Sequence, residues 1–152
     1  MSTRTGEFIT LNIPGGQYQR YVVDNTNNGK PVELMARLSE PRGNTQWTPL
    51  MLFCAQGSRL GQESCLWFQT LPDGVGGYIT PYNGVDRTEL QRNMLASGFQ
   101  VDRAMRLVMK LEPRGYSMAV DGMVIYSKKT DFDVMGYSFG CSSAVCEFNF
   151  TN

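Results

Sequence analysis

Residues 103–126 read RAMRLVMKLEPRGYSMAVDGMVIY, and this stretch decides the fold class of the chain. Its first part places Met105, Leu107 and Met109 at every second position, with mostly charged residues between them. Successive side chains of a β-strand point to opposite faces of a sheet, so this alternation predicts a strand with one buried face. The stretch therefore indicates a sheet that packs on a core with one side and meets water with the other.

Two turns divide this stretch into three strands. Pro113-Arg114-Gly115 interrupts the first alternation, which resumes over residues 116–120. Asp121-Gly122 interrupts it again, and an Asp-Gly pair between alternating segments is a strong signal for a tight hairpin. We predict a three-stranded antiparallel meander that closes at Tyr126.

The rest of the chain has the same organisation of short strands and turns. Outward from the meander, strand-like segments are separated by clusters of Gly, Pro, Asn and Asp, and no internal repeat or linker is visible. These segments cover residues 7–13, 18–24, 32–38, 50–55, 65–70, 76–82, 130–136, 137–140 and 145–150. Many short antiparallel strands predict one all-β domain over residues 1–152, a sandwich or a barrel.

One segment, residues 83–98, is ambiguous. Residues 88–96 are acceptable helix formers that Thr88 can cap. A loop with a short strand is the alternative, and it suits an all-β chain better.

Charge and hydropathy exclude several classes of partner. Lys plus Arg and Asp plus Glu balance at 14 each, which argues against a nucleic-acid binder and against a polybasic membrane-surface protein. No early segment resembles a signal peptide, and no stretch approaches the roughly 20 apolar residues that span a bilayer. We expect a soluble protein, cytoplasmic or secreted without a signal peptide, that neither inserts into membranes nor binds nucleic acid.

The chain has no histidine, which removes Ser-His-Asp and Cys-His nucleophile pairs and His-ligated metals. Glycoside hydrolysis on a jelly roll would need two facing carboxylates, for which Glu63, Asp73, Asp86 and Glu89 are the candidates. No paired motif such as ExDxxE occurs. We therefore expect a protein that is not an enzyme and that needs no cofactor.

The four cysteines are Cys54, Cys65, Cys141 and Cys146. Zinc sites usually carry closer pairs such as C-x2-C, so we expect no metal site. Small buried side chains in strands are one interpretation. Cys54 and Cys65 flank a ten-residue loop and can also face each other in a hairpin; whether they bond depends on the redox compartment.

From Gly98 onward, the text GFQVDRAMRLVMKLEPRGYSMAVDGMVIYSKK resembles the core of a galectin. In that family a Phe and a short turn lead into an alternating strand, a hairpin, a strand that ends in Asn/Asp-Gly, and a return strand. Phe99, residues 105–111, residues 116–120 and Asp121-Gly122 follow in that order. The resemblance extends loosely over residues 29–150, and it implies a jelly-roll β-sandwich of two antiparallel sheets that binds sugars.

The galectin sugar motif, His-x-Asn-x-Arg followed by an Asn and then Trp-x-x-Glu-x-Arg, is only partly matched. Trp67, Gln69 and Leu71 stand where the His, Asn and Arg would be, and Tyr82-Asn83 lies near the expected Asn. In the Trp-x-x-Glu-x-Arg part of the motif, Glu89 and Arg92 are one residue off the pattern, and the stacking Trp is missing. The resemblance thus implies a non-standard site, whose candidate ligand-binding residues are Trp67, Gln69, Tyr82, Asn83, Arg87, Glu89 and Arg92.

Sugar binding requires an aromatic face for the apolar side of a pyranose and planar polar groups for its hydroxyls. The period of two does not tell whether Trp67 faces a ligand or the core, and Trp47, in a polar loop, is a candidate rim contact. We predict a galectin-like lectin whose partner is a glycan or glycoconjugate. The alternative is a protein–protein interaction or structural module without sugar affinity, in which exposed sheet edges give a route to a homodimer.

Overall fold

The structure, a computed structural model, describes residues 7–24, 30–43, 49–59, 61–83, 88–89 and 98–151, and for residues 24, 83, 88 and 89 the backbone alone. Within these ranges the regular structure consists of strands. They are β1 (Phe8–Asn12), β2 (Tyr18–Asp24), β3 (Val32–Ser39), β4 (Leu50–Gln56), β5 (Glu63–Thr70), β6 (Gly76–Asn83), β7 (Thr88–Glu89), β8 (Phe99–Gln100), β9 (Met105–Glu112), β10 (Gly115–Val120), β11 (Met123–Lys129), β12 (Gly136–Ser142) and β13 (Val145–Phe150). The described part of the chain contains no helix that could span a membrane.

The strands form two antiparallel sheets. Sheet A has the order β1-β13-β3-β9-β10-β11, and sheet B has the order β2-β12-β4-β5-β6-β7, with β8 pairing on β6. Because β12 follows sheet A strands in sequence and yet lies between β2 and β4, distant parts of the chain become neighbours in sheet B. The prediction of an all-β jelly-roll sandwich of two antiparallel sheets is confirmed.

The meander lies where the alternation predicts it, at one end of sheet A. Strands β9, β10 and β11 pair in sequence, with Met118 opposite Met109. Met105, Leu107 and Met109 are buried, whereas Arg106 is exposed. One half of the amphipathic pattern therefore faces the core, as predicted.

The core between the sheets is filled by aromatic and aliphatic side chains. Phe148 of sheet A is fully buried against Phe53 and Phe139 of sheet B, at ring-centroid distances of 5.7 and 4.9 Å. A hydrogen bond of 2.9 Å between the hydroxyls of Ser64 and Tyr116 also crosses this interior. Burial raises the pKa of the Tyr116 phenol, against the smaller opposing effect of its Ser64 partner, so Tyr116 stays neutral.

All four cysteines are paired. Cys54 and Cys65 stand directly opposite each other in β4 and β5 and form a disulfide, with Cα atoms 4.0 Å apart. Cys141 and Cys146 form the second disulfide, which connects β12 of sheet B to β13 of sheet A. The sequence leaves open whether the cysteines are free buried thiols or disulfides, and the structure shows that they form disulfides.

Two sequence segments differ from their predicted form. In residues 130–136 only Gly136 lies in a strand, because this segment connects β11 to β12 rather than pairing in a sheet. In the ambiguous segment, β7 pairs with the end of β6 at Thr88–Glu89, which is strand rather than the first turn of a helix. The remaining residues of that segment, 90–97, lie outside the described ranges.

Candidate functional site

The candidate site is built on the outer face of sheet B, the face turned away from the core. The strand register places Arg20, Gly140, Leu52, Trp67 and Thr80 in one row across five neighbouring strands. Since residues directly opposite each other in antiparallel strands share a face, these side chains lie side by side. Sheet pairing therefore brings together residues that are far apart in sequence.

A shallow depression runs across this row. It encloses about 240 Å³, counted out to open solvent, and it is lined by Tyr18, Arg20, Leu52, Glu63, Cys65, Trp67 and Tyr82. Gly140 stands between Arg20 and Leu52 in the row, and a Cβ there would lie 2.7 Å from Gln19 O, so glycine allows β2 to approach β12 closely. The depression is shallow, so a ligand would lie on the surface of this row rather than inside an enclosed cavity.

The aromatic part of the site is a stacked pair. The rings of Trp67 and Tyr82 lie with centroids 4.1 Å apart and planes inclined by 26°. Trp67 also packs against the apolar cluster of Leu50, Leu52 and the Cys54–Cys65 disulfide. Trp67 is only partly buried and points away from the core, which answers the question that the strand pattern leaves open.

The polar part of the site centres on Arg20. Its guanidinium forms an ion pair with the Glu63 carboxylate and donates a hydrogen bond of 3.1 Å to Gln56 Oε1. The Ser138 hydroxyl donates to the same Gln56 oxygen at 2.8 Å. Burial lowers the pKa of Arg20, but the bond to Glu63 and its charge outweigh this effect, so the pKa is raised and Arg20 stays charged.

Charge on this face is balanced. Among the described side chains that β2, β12, β4, β5 and β6 direct outward, Arg20 and Glu63 are the charged ones. They neutralise each other at the rim of the depression. The described surface therefore offers hydrogen-bonding groups without a net charge.

Two buried polar side chains flank Trp67. Thr80 lies directly opposite Trp67 and is fully buried, and Gln69 lies two residues beyond Trp67 and is 3% exposed. Thr80 Oγ1 and Gln69 Oε1 have no hydrogen-bond partner among the described residues. Unsatisfied buried acceptors are rare and costly, so these oxygens are positions where a bound water or another polar group would be stabilising.

The structure brings three of the predicted ligand-binding residues together: Trp67, Gln69 and Tyr82 share the outer face of β5 and β6. The backbones of Asn83 and Glu89 lie in the adjoining β6–β7 pair. The side chains of those two residues, and Arg87, Arg92 and Trp47 altogether, lie outside the described parts of the structure. Leu71 lies in the β5–β6 turn rather than in the depression.

Sequence reasoning missed the contribution of β2 and β12. Tyr18, Arg20 and Gln56 were not candidates, and Glu63 was considered only as a catalytic carboxylate. The available signal was the alternation in β12, where small residues such as Ser138 and Gly140 alternate with buried Tyr137 and Phe139. A glycine inside a strand often marks the close approach of another backbone, and at Gly140 that backbone is β2.

The described candidate carboxylates have structural partners. Glu63 is paired with Arg20. The Asp73 carboxylate accepts hydrogen bonds from the backbone N–H groups of Val75 and Gly76, at 2.8 and 3.1 Å, and these bonds lower its pKa. The Asp73 carboxylate is therefore held in its charged form, which is unsuited to a proton donor, and Glu63 is engaged by Arg20.

No family model matches this chain, and no curated protein sequence does so either. Solved structures match at low identity over almost the whole chain. The carbohydrate-binding module CBM66 from Bacillus subtilis aligns with a TM-score of 0.53 and 11% identity, covering 99% of this chain and 96% of the module. CG-16, a homodimeric agglutinin from chicken liver, aligns with a TM-score of 0.51 and 11% identity, covering 88% of this chain and 97% of the agglutinin.

The Bacillus licheniformis β-glucanase is also similar, with a TM-score of 0.53, 9% identity and coverage of 95% of this chain and 75% of the enzyme. Binding proteins and a hydrolase thus share this architecture, and at these identities the likeness concerns the fold alone. The chain has the galectin-like, concanavalin-type β-sandwich fold.

Proposed function

We propose that this protein binds a glycan, without catalysis, in the depression on the outer face of sheet B. The observation that carries the proposal is the stacked Trp67–Tyr82 pair beside the Arg20–Glu63 ion pair. Aromatic rings pack against the C–H face of a pyranose, and guanidinium and carboxylate groups hydrogen-bond its hydroxyls. Both kinds of group line one depression.

The fold supports this proposal by analogy. A carbohydrate-binding module and an agglutinin are among the proteins with similar structures. Fold alone does not determine function, because the β-glucanase has it as well. The proposal therefore depends on the aromatic and polar groups of the depression.

The ligand that we propose is a neutral sugar. Arg20 is the cation in the described part of the rim, and its charge is already matched by Glu63. An acidic sugar would leave an unmatched negative charge in a partly desolvated site, which is costly. Gln69, Asn83, Arg87, Glu89 and Arg92 remain proposed contacts for further sugar units.

The absence of catalysis is part of the proposal. It is supported by the partners of the two described candidate carboxylates. Glu63 is paired with Arg20, and Asp73 accepts a hydrogen bond from the backbone of its own turn, so the two do not face each other as acid and base. Glycoside hydrolysis uses two carboxylates across the scissile bond.

A glycan array followed by isothermal titration calorimetry with the glycans that bind tests the proposal. We expect the wild-type protein to bind neutral glycans and Trp67→Ala to lose about tenfold in affinity, since aromatic contacts contribute up to about 1.5 kcal/mol beyond the area that they bury. Phe8→Ala is the matched control, because Phe8 is an exposed aromatic residue on an edge strand of sheet A. That variant should bind as the wild type does.

A wild-type protein that binds no glycan on the array would contradict the proposal. Sedimentation of the same sample would then decide whether the alternative, an interaction module, is favoured by a stable homodimer. Release of product from chromogenic glycosides would instead contradict the absence of catalysis.

A further inference from the structure

A cluster of potential metal ligands lies in and beside the depression of the candidate site. One ligand atom each from Cys54, Cys65 and Glu63 lies within 4.8 Å of the others. Cys54 and Cys65 are opposite each other in β4 and β5, and Glu63 precedes Cys65 by two residues on the same face. The register of the hairpin, rather than a short sequence spacing, brings the three side chains together.

In this structure the two sulfurs form a disulfide, so the cluster holds no thiolate. Of the two disulfides, this one is closer to solvent, because Cys65 lines the depression and is 5% exposed. Cys141 and Cys146 are both fully buried in the core. A reductant from solution therefore reaches Cys65 before it reaches the other pair.

Reduction by a dithiol is balanced in two exchanges. A thiolate of the dithiol attacks Cys65 Sγ, which forms a mixed disulfide and releases Cys54 as a thiolate. The second thiol of the reductant then displaces Cys65 and closes the reductant into its own disulfide. The protein gains two electrons and two protons, and the dithiol loses them.

We propose that the reduced Cys54 and Cys65, together with Glu63, bind one Zn²⁺ ion. Two thiolates and a carboxylate are ligands that Zn²⁺ accepts, and the fourth tetrahedral position opens on the depression, where water can occupy it. Binding releases the two thiol protons. The site exists only in the reduced protein, because a disulfide sulfur is not a thiolate ligand.

The charges around the cluster fit a divalent cation. Two thiolates and the Glu63 carboxylate carry three negative charges, which the metal and the neighbouring Arg20 match. Arg20 contacts Glu63 through Oε2, so it can orient the carboxylate while the other oxygen turns to the metal. Hydrogen-bonded partners of this kind tune the affinity of metal ligands.

The sheet keeps the ligands in place after reduction. Strands β4 and β5 pair continuously from Leu50↔Gln69 to Gln56↔Glu63, and each has a further strand on its other side. The backbone positions of the two cysteines are thus fixed by hydrogen bonds rather than by the disulfide. Only the side chains need to move for the sulfurs to separate.

The test compares oxidised and dithiol-reduced full-length protein after anaerobic removal of the reductant. Each is titrated with Co²⁺, read by thiolate-to-cobalt charge-transfer absorption, and then with Zn²⁺, whose bound amount is measured by elemental analysis. We expect one metal ion per chain in the reduced protein and none in the oxidised protein. This comparison needs no variant and no sugar, so it is independent of the proposed glycan binding.

Variants assign the ligands. Cys54→Ser/Cys65→Ser should abolish binding, and Cys141→Ala/Cys146→Ala, the matched control, should retain one ion. Glu63→Gln should keep the charge-transfer band and lower the affinity at least as much as the roughly 10- to 100-fold that loss of an outer-shell partner costs. Reduced wild-type protein that binds no Co²⁺ or Zn²⁺, equal binding by the oxidised form, or loss of binding in the Cys141/Cys146 variant would each overturn the proposal.

Discussion

The outer faces of the two sheets come from strands of similar length, yet they differ in what they present to solvent. On sheet A the outward side chains include partly exposed ion pairs, Arg37 with Glu147 and Arg106 with Glu33. On sheet B the outward Leu52 is 2% exposed and packs with the Cys54–Cys65 disulfide under Trp67. An antiparallel sheet usually keeps one face solvated, so the apolar outer face of sheet B is the unusual one.

The ion pairs on the two outer faces differ in their exposure to solvent in the same way. The side chains of Arg37 and Glu147 are 43% and 23% exposed, whereas those of Arg20 and Glu63 are 20% and 10% exposed. Water screens the first pair more than the second. Sheet A thus has an ordinary solvated face, and sheet B holds a partly desolvated one that is suited to a ligand.

The largest loss of stability should come from truncating apolar residues on these outer faces. We expect Leu52→Ala to lower the free energy of unfolding by roughly 2–5 kcal/mol, because it leaves a cavity among buried side chains. Met35→Ala, a truncation of similar size on the partly exposed outer face of β3, should cost less than that. Urea unfolding measures the stability of both variants. Equal losses of unfolding free energy would contradict the conclusion that the outer face of sheet B is the more deeply buried one.

The next effect concerns the two ion pairs. Arg20→Met should lower the free energy of unfolding by about 1–2 kcal/mol, because it leaves the Glu63 carboxylate nearly buried without its cation. Arg37→Met should leave the stability nearly unchanged, since its partner remains hydrated. The comparison would fail if Arg37→Met were the more damaging variant at physiological ionic strength.

The smallest effect lies at the turn between β5 and β6. Backbone hydrogen bonds from Val75 and Gly76 hold the pKa of Asp73 below its ordinary value of 3.8. A lowered carboxyl pKa contributes stability that is present above the ordinary value and is lost as the pH falls through the lowered one. Asp73→Asn should therefore melt below the wild type at pH 7 and approach it near pH 2; a constant difference in Tm would contradict this assignment.

The sequence predicts the direction of the side chains in a strand only where one face of that strand is buried and the other is solvated. In β9, charged residues separate Met105, Leu107 and Met109, so the sequence pattern reveals both the strand and its inner face. In β5 nearly every residue is buried, and the inner Leu66 and Phe68 are as apolar as Trp67 between them. The direction of Trp67 therefore had to come from the structure.

The polar half of the site could not be predicted for a different reason. Arg20 meets Glu63 only because β12 inserts beside β2, which places two distant segments in one sheet. The disulfides depend on register in the same way, since Cys54 and Cys65 pair only in one alignment of β4 and β5. A shift of a single residue would turn them to opposite faces.

The position of β12 between β2 and β4 also determines when the candidate site can form during synthesis. Strands β2, β4 and β5 leave the ribosome early, but Arg20 and Leu52 gain their shared neighbour Gly140 only when β12 has been made. Domains generally fold as units during synthesis, and pairings between distant segments form slowly. A nascent chain that ends before residue 136 would therefore carry Trp67 and Tyr82 without the assembled depression, which would form only after β12 has been made.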